Sequence, residues 1–171
     1  MSDPNLPHTI SLIGMPGAGK STVGVILAKL TGLAFSDTDL AIQLREDATL
    51  QEIVDQRGHL ALRQIEEEVL LEVDLEKAVI STGGSVVYSD AIMSRLREAG
   101  PVVYIQVDLP VLEERVAANP LRGIASGSDQ SFADIFAERT PLYERYADVT
   151  VDGCAGNADT VAALILAALG H

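Results

Sequence analysis

The 171 residues predict a three-layer α/β/α domain built on a five-stranded parallel sheet. Three observations carry this expectation. Short apolar runs alternate with longer stretches of helical periodicity along the chain. One of those runs, residues 102–107, is nearly all apolar, as a strand is when helices cover both of its faces. Glycines or acidic residues stand directly after several runs, where ligands bind in a parallel sheet.

The elements follow in order. Residues 8–14 read as a short apolar strand ending in glycine. Residues 20–30 form a helix, with Val23, Leu27 and Leu30 spaced for one face and Gly32 ending it. Residues 33–35 are a second strand, with Ser36-Asp37-Thr38-Asp39 at its C-terminal end. Residues 40–45, 49–57 and 58–73 read as three helices, and residues 78–82 as a third strand that runs into Gly83-Gly84. A helix over 89–98 stops at Gly100-Pro101 before the strand at 102–107. Helices at 110–118 and 132–146 flank a Gly-, Ser- and Asp-rich loop, 119–131, expected to be a mobile lid. Residues 149–151 are the last strand and 157–169 the last helix. Residues 1–171 read as one domain, with no internal repeat and no linker.

Composition narrows the partners. Twelve basic and 25 acidic residues give a net charge of −13, which repels a phosphate backbone and argues against nucleic acid. No apolar run approaches the length of a membrane helix, and residues 1–7 lack the pattern of a secretory leader. Cys154 is the single cysteine, so no internal disulfide is possible and a cytoplasmic location is expected.

The firmest motif is G-x-x-x-x-G-K-[ST], met by Gly14, Gly19, Lys20 and Ser21 between an apolar strand and a helix. Glycines at this spacing turn backbone N–H groups towards phosphate oxygens, and the helix points its positive end at the same place. Lys20 would reach the β- and γ-phosphates, and the Ser21 hydroxyl would face Mg²⁺. The motif predicts a nucleoside triphosphate donor and leaves the acceptor open.

Further features stand in order beyond the loop. They are Ser21-Thr22; Asp37-Thr38-Asp39; Gly58 with Leu62-Arg63 and Glu66; Gly83-Gly84; Arg122; and Arg139-x-Pro141-Leu142-Tyr143. With them the sequence resembles the shikimate kinase family, within the wider nucleoside-monophosphate-kinase-like P-loop group. The resemblance implies a P-loop kinase fold, ATP as co-substrate, Mg²⁺, a small hydroxy-acid acceptor and a monomer.

Site residues follow from the same resemblance. Lys20, Asp39 and Arg122 would be catalytic. Gly14, Gly17, Ala18, Gly19, Lys20, Ser21 and Thr22 would bind nucleotide, with Arg115 beside the adenine and Arg122 brought down by the lid. Asp39, Arg63, Gly83, Gly84 and Arg139 would bind the acceptor, the two arginines clamping its carboxylate. Ser21 and Asp37 would hold the metal. Glu66 is expected to hold Arg63 in place. The acceptor-binding segment is about residues 37–66. Simpler readings stay open: helix capping by Asp39, surface ion pairs for the arginines, an ordinary turn at the glycines.

Two departures fall on the acceptor side. The family pattern has three glycines after the third strand, where this chain has Gly83-Gly84-Ser85. Its lid pattern Arg-Pro-Leu-Leu reads Arg122-Gly123-Ile124-Ala125 here. Shikimate is the expected acceptor, phosphorylated to shikimate 3-phosphate. Homoserine is the rival, with Ser85 filling the space of the missing ring. A nucleotide or gluconate kinase and a non-catalytic nucleotide-binding paralogue are the remoter readings.

Overall fold

A computed structural model describes residues 7–119 and 129–171. Arg122 and most of the expected lid lie outside the described residues. The elements run β1 (Ile10–Ile13), α1 (Lys20–Thr31), β2 (Ala34–Asp37), α2 (Thr38–Glu46), α3 (Leu50–Arg57), α4 (His59–Glu72) and β3 (Ala78–Ser81). After a single 3₁₀ turn, Val86–Tyr88, come α5 (Asp90–Ala99), β4 (Val102–Gln106), α6 (Leu109–Ala117), α7 (Phe132–Tyr146), β5 (Val149–Asp152) and α8 (Ala158–Ala168).

The five strands form one parallel sheet in the order β2-β3-β1-β4-β5. Hydropathy explains this order. The strands β1 and β3 are buried throughout, and β4 is buried over its first four residues. The edge strands β2 and β5 carry the polar and exposed positions. Continuous apolar strands need cover on both faces, and half-polar ones tolerate an edge. Helices flank the sheet, with α1 and α8 packed together on one another and α7 lying against β4.

The segment α2–α4 has a small core of its own, Ile42, Ile53, Leu62, Ile65 and Val69. It stands beside the main core as a separate helical cluster, and it overlaps the stretch 37–66 of the sequence. Strand β2 passes into α2 with no intervening loop, because Asp37 ends the strand and caps the helix. Its carboxylate accepts from the N–H of Asp39 at 2.9 Å and of Leu40 at 3.4 Å. The expected alternative, capping by Asp39, is corrected: Asp37 takes that role, and Asp39 is inside the first turn. Among the described residues, no helix is long and apolar enough to cross a membrane.

Candidate active site

The C-terminal ends of β1, β2 and β3 open onto one cavity of about 290 Å³. Gly17, Gly19, Lys20, Ser21 and Thr22 line it after β1, Asp37 and Asp39 after β2, and Gly83, Gly84 and Ser85 after β3. Glu66 of α4 and Arg139 of α7 complete it.

The phosphate loop takes its shape from glycine. Gly14 has φ +150°, and a Cβ there would stand 2.8 Å from the Ile105 carbonyl oxygen of β4. Gly19 adopts φ +92° and, with no side chain, leaves the first-turn N–H groups of α1 uncapped. Such an end is suited to an anion. Lys20 is buried and donates to the carbonyls of Gly14 at 2.7 Å and Met15 at 2.9 Å, so its ammonium lies along the loop.

Arg115 of α6 donates to the Gly17 carbonyl at 3.0 Å. It also lines a neighbouring cavity with Gly17, Ala18, Gly19 and Thr22. The far wall of that cavity is Gly153, Gly156 and Asn157, from the turn between β5 and α8. Sequence reasoning missed these three. The signal was present: a glycine-bearing turn directly after the last strand, at the same end of the sheet as the other loops.

Ser21 donates its hydroxyl to Asp37 Oδ2 at 2.6 Å, and Ser81 Oγ lies 3.1 Å from Ser21 Oγ. A hydroxyl beside a carboxylate is an oxygen-only pair of the kind a hard cation takes. Among the described residues, no group of three or more His, Cys, Asp or Glu could hold a metal by itself. A cation at Ser21 and Asp37 would therefore draw its remaining ligands from phosphate and water.

In the same cavity, Glu66 is 5% exposed and Arg139 is 1% exposed. Ser85 donates to Glu66 Oε2 at 2.5 Å, while Glu66 Oε1 is buried with no hydrogen-bond partner among the described residues. Burial pushes the Glu66 carboxyl up to about 7; nearby Asp39 pushes the same way, and Ser85, Arg139 and Lys20 oppose it. Gly83 is forced by this neighbour, since a Cβ there would meet Glu66 Oε1 at 2.6 Å. Gly84 faces Arg139 Nη1, 2.9 Å from its own would-be Cβ. Tyr143 stacks on Tyr104 and also donates to the Gly84 carbonyl at 2.5 Å.

The two arginines line adjoining cavities. Arg139 lines the main cavity, whereas Arg63 lines an adjoining one that shares Glu66 and Ser85. Both guanidiniums lie over the Tyr88 ring, with carbons 4.1 Å (Arg63) and 5.4 Å (Arg139) from its centroid. Glu66 does not hold Arg63 as expected; its hydrogen bond goes to Ser85, a residue that sequence spacing does not connect to it.

Known proteins bear on this geometry. The family model "Shikimate kinase" matches residues 16–170. The shikimate kinase of Mycobacterium avium is 38% identical over 162 residues, covering 92% of this chain and 91% of its own. That of Paracidovorax citrulli is 37% identical over 163 residues, covering 92% and 87%. Among solved structures, the Acinetobacter baumannii shikimate kinase in complex with shikimate superposes with a TM-score of 0.84 at 33% identity, covering 92% of this chain and 89% of that one. The Aquifex aeolicus shikimate kinase gives 0.79 at 30% identity, covering 94% and 95%. A gluconokinase from Sinorhizobium meliloti, at 19% identity and a TM-score of 0.54, shares the fold alone. With the family model spanning residues 16–170 and a relative 38% identical over 92% of the sequence, the chain belongs to the shikimate kinase family.

Proposed function

We propose that this protein transfers the γ-phosphoryl group of ATP to a hydroxyl of shikimate, giving shikimate 3-phosphate. One observation carries the reading: a single cavity joins the phosphate-loop Lys20 to Asp39 and to the buried Arg139. A triphosphate and a small carboxylate-bearing alcohol placed there would meet.

The residues divide the work. Gly14, Gly17, Ala18, Gly19 and Thr22 frame the phosphates, and Lys20 places positive charge against the negative charge carried by the oxygens of the transferring group. Ser21 and Asp37 would hold Mg²⁺, which neutralises charge on the β- and γ-oxygens when bound. Asp39, on the first turn of α2, would accept the proton of the attacking hydroxyl or orient it. Arg139 and Arg63 would receive the carboxylate, a group that guanidinium forks match. Gly83 and Gly84 let the backbone come close to the acceptor, and Arg115 flanks the base. The same reading keeps one domain, acting as a cytoplasmic monomer without nucleic-acid or membrane partners.

Ser85 bears on the rival acceptor. Homoserine called for a serine filling the pocket, but the Ser85 hydroxyl is directed to Glu66. The test is ADP release by the purified protein with Mg-ATP and shikimate, homoserine, gluconate or no acceptor. Release that depends on shikimate is expected. Greater turnover of homoserine or gluconate, or no stimulation by any of them, would overturn the proposal.

A further inference from the structure

Tyr88 is not among the residues that line the main cavity, yet the two arginines assigned to the acceptor meet on it. It ends the 3₁₀ turn that follows Gly83-Gly84-Ser85, and its N–H donates to the Ser85 carbonyl at 3.1 Å. The ring is therefore tied to the acceptor turn.

Arg63 comes from α4 and stacks over the ring at 4.1 Å; Arg139 comes from α7 and stands at 5.4 Å. Arg139 Nε also donates to the Tyr88 hydroxyl oxygen at 3.3 Å. The hydroxyl in turn donates to Glu138, the neighbour of Arg139 on α7. That bond, more than any other contact, holds the Glu138 carboxyl below its usual range, with Arg63 and Arg139 adding to the effect.

Two guanidiniums brought together repel each other. An aromatic face attracts both through its quadrupole, and a nearby carboxylate offsets their charge. The ring face serves Arg63, and the hydroxyl serves Arg139 and Glu138. One side chain thus fixes cations from two separate helices relative to one another and to the glycine turn.

We propose that Tyr88 is a positioning residue for the acceptor: it holds Arg63 and Arg139 at the mutual spacing in which they receive one carboxylate together. This rests on the reading that these arginines bind the acceptor carboxylate. Tyr88 acts only through them, so its loss changes acceptor handling and leaves nucleotide handling alone.

The experiment compares steady-state kinetics of wild type, Tyr88→Leu, Tyr88→Phe and Arg139→Lys, with shikimate and ATP varied separately and thermal unfolding recorded for each. Tyr88→Leu is expected to raise KM for shikimate about 10-fold, with KM for ATP within about two-fold. Tyr88→Phe keeps the ring face and is expected to fall between wild type and Tyr88→Leu. Arg139→Lys tests the underlying reading by itself. If it leaves KM for shikimate unchanged, the carboxylate reading fails and this proposal with it. If Arg139→Lys raises that KM while Tyr88→Leu does not, the proposal alone is overturned. Equal rises in both KM values in Tyr88→Leu, or a Tyr88→Phe variant as impaired as Tyr88→Leu, overturn it too, because the role is then general folding or the hydroxyl only.

Discussion

Ser85 donates its hydroxyl to Glu66 Oε2 across 2.5 Å, and in doing so it anchors a buried carboxyl in the cavity that the phosphate loop also lines. Glu66 titrates near 7 against an ordinary 4.5, chiefly through burial. The folded protein therefore keeps this proton to a higher pH than the unfolded chain does. The stability contributed by the neutral form is complete below about 4.5 and is lost as pH rises towards about 7. The loss is at most about 3 kcal/mol. Glu66→Gln should remove this part of the slope, and Ser85→Ala should move the Glu66 titration higher still. Urea unfolding of the three proteins from pH 4.5 to pH 8 checks both expectations.

Lys20→Ala should reduce kcat by roughly 100-fold or more, because the transferring phosphoryl group loses its charge partner. Nucleotide affinity, held in part by loop N–H groups, should fall less. Single-turnover phosphoryl transfer alongside nucleotide titration separates the two. Near-normal turnover would contradict the assignment of the loop.

Asp37→Asn tests the metal role without removing the cap of α2, since asparagine caps as well as aspartate does. The Mg²⁺ concentration for half-maximal activity should rise several-fold, roughly 1 kcal/mol of lost attraction for the cation. Thermal stability should stay close to wild type. An unchanged Mg²⁺ dependence would place the cation elsewhere.

Gly83→Ala puts a methyl group 2.6 Å from Glu66 Oε1, in a buried site where the carboxyl is already committed to Ser85. Overpacking of this kind costs about 1–3 kcal/mol. Calorimetry should show the loss of stability, and kinetics should show KM for shikimate rising more than KM for ATP.

Arg63→Ala should weaken shikimate and spare ATP. Direct titration with each ligand decides this, and a selective loss of ATP affinity would refute the clamp.

Read as a linear string, the chain already determines the five strands, their parallel sense and the phosphate loop. These depend on local patterns: apolar runs of strand length, helical spacing between them, and glycines at fixed intervals. Strand edges shift by one or two residues, and the helix at residues 40–45 begins earlier, at Thr38, because Asp37 caps it. The family was legible too, from motifs standing in order along the chain.

Tertiary structure decided what lies between those motifs. Ser85 and Glu66 are 19 residues apart, and Arg139 and Tyr88 are 51 apart. No periodicity links such pairs; they meet because α4, α7 and the turn after β3 converge at one end of the sheet. The sharing of Tyr88 by two arginines, the pairing of Glu66 with Ser85 and the Gly153–Asn157 wall all arise there. Phosphate binding relies on main-chain geometry that a short motif encodes. The proposed acceptor site relies on side chains from distant segments, and their arrangement is set only when the core packs.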